Sequence, residues 1–161
     1  MKRVREFLCS LHLFLEIGRR DGVTASFEKD PIKRLRKSNF IEYLRIKPHL
    51  ANNGKIVLKL KVDDHVLNLN DTLHGGVHAT LLDTVIGQAI AQQAESPVAT
   101  INLSVYYSAP ARIGSLLTAE AAIVNKGNSI ATGEGTIKDE NGTLIAKAVG
   151  SFKILQPKPS R

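Results

Sequence analysis

Residues 74–93 read HGGVHATLLDTVIGQAIAQQ. The stretch is long and apolar, rich in Ala, Leu and Gln, and Asp83 is its single Asp, Glu, Lys or Arg. It predicts a helix buried on most of its surface. Everything after it reads as strand: 98–108, 115–125, 129–138 and 143–155, separated by Pro110 to Gly114, by Lys126-Gly127-Asn128 and by Asp139 to Gly142. The last turn sets Asn-Gly between two strands, a hairpin signal because both residues tolerate positive φ. Upstream, Ile56, Leu58, Leu60 and Val62 alternate with Val57, Lys59 and Lys61, a strand of period two over 55–62. The connection from Asp63 to Leu73 is polar and turn-rich. One long helix against an antiparallel sheet of five to six strands is an α+β architecture.

Further upstream the chain changes character. Of the 161 residues, 22 are Lys or Arg and 15 Asp or Glu, a formal charge of +7. Residues 1–48 hold 12 of those basic and 6 of those acidic residues, so the excess belongs to the first third. Val4, Phe7, Leu8, Leu11, Phe14 and Leu15 fall at helical spacing, and Asp30-Pro31 can cap and open a second helix carrying Lys33, Arg34, Arg36 and Lys37. The expected organisation is a basic helical extension over 1–39, one domain over 40–155 and a polar tail over 156–161. His12, Glu16 and the absence of a small-x-small site argue against reading the start as a secretory signal. No stretch reaches transmembrane length, and a cytoplasmic location is the expectation. A chain of this length builds a conventional core without disulfides. The single Cys9 excludes an intrachain disulfide and a Cys-based zinc site.

Chemistry concentrates near the start of the long helix. Gly75-Gly76 lets the backbone approach a ligand, with N–H groups that lack intrahelical partners and can stabilise negative charge developing on a carbonyl oxygen. The same glycines would also serve tight packing. Asp83 is a carboxylate in an uncharged helix and needs compensation if buried. It could accept from a hydroxyl such as Thr80, or act on a substrate. His74 and His78 lie four apart without an evident third metal ligand, and His65 has none; no metal is expected. Ser104, Ser108 and Ser129 lack a nucleophile-elbow pattern.

Taken together, Asn68, His74-Gly75-Gly76, Asp83 and Gly87, with Ala109 to Gly114 and Asn141 to Ala146 downstream, resemble the hotdog-fold acyl-CoA thioesterases of the phenylacetate-degradation type, within the 4-hydroxybenzoyl-CoA thioesterase superfamily. The resemblance spans roughly 40–155. It implies a long helix wrapped by an antiparallel sheet, assembly into homodimers and often homotetramers, and hydrolysis of acyl-CoA thioesters with no cofactor beyond the CoA of the substrate. By this similarity the Gly75 N–H polarises the thioester carbonyl, Asp83 is nucleophile or general base, and Asn68 positions water or substrate. His74, Gly76 and Thr100 are implied on the substrate side, His74 mainly holding the helix start. Two departures stand out: Asp71 where the family commonly has Gly, reached through an Asn70-Asp71 pair that tolerates left-handed geometry, and Asn128 where Arg is frequent.

Gly75 and Asp83 are eight residues apart, about 12 Å along a helix axis. They cannot both touch one carbonyl, so a shared thioester requires Asp83 from a second subunit. The competing reading is a non-catalytic acyl-CoA sensor with a nucleic-acid-binding extension. Residues 1–40 offer two short helices with a loop where a tight helix-turn-helix would stand, and retention of Asp83 favours chemistry. Lys33, Arg34, Arg36 and Lys37 either approach the CoA phosphates or solvate a helix face.

Overall fold

The structure, a computed structural model, describes residues 27–155. The helix read over 4–15 and the tail over 156–161 lie outside them. Two short helices come first. In α1 (Pro31–Arg36), the Asp30 carboxylate accepts from the N–H groups of Ile32 (2.9 Å) and Lys33 (3.3 Å), with Pro31 opening the helix, the cap that Asp-Pro announces. Helix α2 (Asn39–Tyr43), capped by Ser38, has no counterpart among the sequence expectations. Pro31 and Leu35 of α1 and Ile41 of α2 are buried, and Leu35 and Ile41 join the main core. Among the described residues, α1 and α2 thus pack with the rest of the chain, although α1 falls in the stretch expected as an extension.

Then follow β1 (Lys47–Leu50), β2 (Ile56–Lys61), a single 3-10 turn (Asp64–Val66), the long helix α3 (Gly75–Ala94), β3 (Val98–Tyr107), β4 (Leu116–Lys126), β5 (Ile130–Lys138) and β6 (Leu144–Ile154). The strands form one six-stranded antiparallel sheet in the order β1-β2-β4-β5-β6-β3. Five of the strands, β2 to β6, sit within one residue of their expected limits. β1 was not foreseen, because it is mostly exposed and carries Pro48, a residue that sheets accept at an edge. In the last hairpin only Gly142 takes positive φ, at 82°. The Asp139 carboxylate, accepting from the N–H groups of Asn141 and Thr143, fixes the rest of that turn.

The sheet curls around α3. Leu81, Leu82, Val85, Ile86 and Ile90 of the helix pack against Leu58, Leu117, Ile137, Ala148 and Phe152 of the sheet, all of them essentially inaccessible. Contact is close because β5 presents glycine. A Cβ built on Gly133 would stand 2.7 Å from Cγ2 of Ile86 and 3.2 Å from the Ala122 carbonyl oxygen. Neither atom is the free end of a flexible chain, so helix or strand must move. Gly133→Ala is expected to cost about 1–3 kcal/mol by overpacking, read as a lower urea midpoint at unchanged m-value.

The helix is less enclosed than its composition predicts. Its core-facing side is fully buried, but Ala79, Thr80, Asp83, Thr84 and Gln88 are only partly covered. Apart from Asp83 this stripe is uncharged, and it lies open along one side of the protomer.

Candidate active site

The loop before α3 is built by Asn68. Its Oδ1 accepts from the N–H groups of Asn70 (2.8 Å) and Thr72 (3.3 Å), and its Nδ2 donates to Thr72 Oγ1 (3.0 Å). Asp71 occupies the left-handed region at φ 55°, so the loop takes the left-handed turn without the glycine the family commonly has there. The loop is pinned from outside by bonds from the N–H of Leu73 to the Ala111 carbonyl (2.8 Å) and from the N–H of His74 to the Val66 carbonyl (2.9 Å). With both oxygen lone pairs committed, Asn68 retains one Nδ2 N–H for a ligand, and can act there only as a donor.

At the helix start the two glycines differ. His74 is the N-cap, and its Nδ1 accepts from the Gly76 N–H at 2.9 Å. The N–H of Val77 bonds the His74 carbonyl. The Gly75 N–H makes no hydrogen bond among the described residues. Of the pair expected to face a ligand, Gly75 remains available, while Gly76 is occupied by the cap. The orientation of His74 agrees with its expected role of holding the helix start.

Gly75 and Asn68 line a cleft of about 400 Å³ together with His78 and Tyr107. Sequence reasoning weighed His78 only as a metal ligand and did not single out Tyr107. The Tyr107 hydroxyl donates to the Gly75 carbonyl at 3.2 Å, and its ring meets that of His78 edge-on at 5.6 Å between centroids. His78 is 5% exposed. Its Nδ1 lies 3.1 Å from the His74 carbonyl, which only a protonated Nδ1 can bond, and its Nε2 is buried without a hydrogen-bond partner. Burial holds the imidazole pKa below its ordinary value, against the opposing pull of the His74 carbonyl, and so favours the neutral ring.

Asp83 lies elsewhere. It lines a second cleft, of about 580 Å³, and among the described residues is the only carboxylate in that lining. Its Oδ1 accepts from Thr100 Oγ1 at 2.8 Å. Thr80, the hydroxyl considered as its structural partner, instead donates to the Gly76 carbonyl at 2.9 Å. The carboxylate is half-buried and bonded by one hydroxyl from β3, which orients it; its other oxygen has no hydrogen-bond partner among the described residues. The residues singled out in the sequence thus separate into a donor cleft with Asn68 and Gly75 and a carboxylate cleft with Asp83 and Thr100.

The basic side chains of α1 divide as well. Lys33, Arg36 and Lys37 are exposed, whereas Arg34 turns inward to Gln88 of α3. Among the described residues one group could offer several metal ligands together, Asp63, Asp64 and His65. There Asp63 already contacts His65 and accepts from Arg45 at 2.6 Å, so a cationic side chain occupies the position.

Comparison with known proteins places this arrangement. The sequence model described as the thioesterase superfamily matches residues 70–146, the span from the loop before α3 into β6. Human acyl-coenzyme A thioesterase 13 is 28% identical over 123 residues, covering 74% of this chain and 88% of the relative. A Halobacterium salinarum protein named provisionally as an esterase is 30% identical over 129 residues, covering 72% and 84%. Among solved structures, a mutant of the phenylacetic acid degradation protein PaaI from Thermus thermophilus superposes with a TM-score of 0.67 at 29% identity, covering 73% of this chain and all of that one.

Proposed function

Because the chain belongs to the thioesterase superfamily, as a hotdog-fold thioester hydrolase, we propose that it hydrolyses acyl-CoA thioesters at a site shared between two copies. The observation that carries the shared site is the separation of its groups. The free Gly75 N–H and the Asp83 carboxylate line different clefts of one protomer and stand about 12 Å apart along α3. Three features favour a second copy as the missing half. β3 is an edge strand of ten residues. It exposes Ile101 (56%) and Tyr106 (65%). The uncharged stripe of α3 around Asp83 is uncovered. Pairing through β3 extends the sheet and buries that apolar surface.

In this reading the thioester carbonyl oxygen sits against the Gly75 N–H of one copy, at the positive end of α3, where the charge developing in the tetrahedral intermediate is stabilised. Asn68 adds a donor beside it. Asp83 of the other copy, oriented by Thr100, acts on the carbonyl carbon as nucleophile or through a water from which it takes a proton. Collapse of the intermediate breaks the carbon–sulfur bond and releases CoA as the thiolate; in the water route this yields the free acid directly, and in the nucleophilic route a water then hydrolyses the acyl–Asp83 anhydride to the acid and restores the carboxylate. CoA enters as part of the substrate, and no other cofactor takes part. A cytoplasmic homodimer, or two such dimers as a homotetramer, completes the proposal. Among the described residues no helix is long and apolar enough to cross a membrane.

The test is a mixed dimer. One chain carries Gly75→Pro and the other Asp83→Asn, with different tags so that the heterodimer is isolated. A shared site leaves one of the two active centres free of lesions, so the heterodimer should recover about half of wild-type activity although each parent homodimer is nearly inactive. No recovery would place both groups in one chain's site.

A further inference from the structure

The guanidinium of Arg34 is held on most of its edges. Nε donates to Gln88 Oε1 at 3.0 Å, Nη1 donates to the Glu28 carbonyl at 2.6 Å, and the group lies 4.5 Å from the centre of the Phe27 ring. Nη2 is buried and has no hydrogen-bond partner among the described residues. A buried guanidinium nitrogen loses its hydration and normally regains it from an acceptor. Gln88 adds a second donor. Arginine only donates, so the Gln88 atom facing Nε must be the oxygen, and Nε2 is left over. It makes no hydrogen bond among the described residues.

Arg34 and Gln88 line the same cleft as Asp83 and Thr100. Val98, Leu103 and Phe152 give that cleft an apolar wall. Gln88 is five residues beyond Asp83 on α3, about 7.5 Å along the axis. Among the nearby acids, Asp30 caps α1, Glu28 accepts from the Asp30 N–H at 3.2 Å, and Asp83 has one oxygen bonded by Thr100; none of them is bonded to Nη2 among the described residues. Burial lowers the Arg34 pKa, opposed by the charges of Asp30 and Glu28, as befits a cation short of solvation.

We propose, resting on the thioesterase reading above, that Arg34 Nη2 and Gln88 Nε2 receive a carboxylate at the far end of the acyl group, which makes ω-carboxyacyl-CoA thioesters the preferred substrates. The apolar wall carries the methylenes between the thioester at Asp83 and the carboxylate at Arg34. A chain of about six carbons suits an axial separation of about 7.5 Å.

The experiment compares dicarboxylic acid monothioesters of CoA, from succinyl to suberyl, with the unsubstituted acyl-CoA of equal chain length. Wild type, Arg34→Met and Gln88→Glu are assayed. The wild type should favour the carboxylated member by tenfold or more in kcat/KM, mainly through KM and most strongly near adipyl-CoA, as expected for a charge-assisted contact of about that strength. Both variants should lose that preference while still hydrolysing hexanoyl-CoA. Gln88→Glu keeps an acceptor for Arg34 Nε, so it preserves the link between α1 and α3 while repelling the substrate carboxylate. Each preference is a ratio measured on one preparation, so partial unfolding does not alter it. A wild type that prefers no carboxylated member, or variants that lower both series equally, would overturn the inference and leave the thioesterase reading intact. A wild type that cleaves neither series would overturn that reading, and this inference with it.

Discussion

Asp83→Asn should lower kcat for acyl-CoA hydrolysis by about 10²–10⁴-fold, the range associated with losing a positioned general base. The substitution is close to isosteric, and its side-chain oxygen can still accept from Thr100 Oγ1, which now bonds Asp83 at 2.8 Å. Among the described residues no other carboxylate lines that cleft. The change therefore removes negative charge and basicity while leaving shape and orientation in place. KM should move little, since an interaction realised only in the transition state is reflected in kcat. Release of CoA thiol under saturating substrate measures the effect, with thermal unfolding confirming an intact fold. Activity within threefold of wild type would remove Asp83 from the chemistry.

Gly75→Pro should lower kcat by about 10²–10³-fold, the usual loss for one oxyanion donor. Backbone donors are hard to delete, but this one occupies an unusually suitable place. Gly75 is the first residue of α3, where proline is favoured because its missing N–H has no intrahelical partner. The residue before it must be extended, and His74 already is, with φ −61° and ψ 135°. The nearest atoms to a Cβ at Gly75 would be those of the Tyr107 ring and hydroxyl, at 3.6 Å, an ordinary contact. Helix content and melting temperature should stay near wild type while turnover collapses. A proline variant that retains full activity would show that the thioester carbonyl is polarised elsewhere.

The parts of this molecule that sequence disclosed are those in which local chemistry and burial agree. Residues 74–93 predict α3 because an uncharged run of that length has few other structures open to it. The four strands after it are bounded by Gly, Pro and Asn-Gly turns. The Asp-Pro pair placed α1. β1 escaped because an exposed edge strand with Pro48 has no buried alternation to detect. The enclosure of α3 was overestimated for a related reason: an uncharged face reads as buried, whether its cover comes from the same chain or is still to be supplied. At the site, Asn68, Gly75 and Asp83 were singled out through their combined spacing and the resemblance it carries, and the structure sets Asn68 and Gly75 in one cleft and Asp83 in another. The bond from Thr100 to Asp83, the cap that occupies Gly76, and the positions of Tyr107 and Arg34 join residues from separate elements, which no local pattern encodes. Gly133 likewise looks like an ordinary strand residue until the approach of Ile86 is known.

The two margins of the sheet are unequal, and this limits how far the protein can assemble. β3 offers ten residues of backbone without proline, whereas β1 offers four, one of them Pro48, which has no N–H to donate. Two copies joined through β3 would each use up the long margin and present only the short one outward. Chain growth by strand addition would then end after a single step, because the remaining margins act as terminators. If the site is shared between two copies as proposed, the same inequality keeps the pair from growing into a fibre.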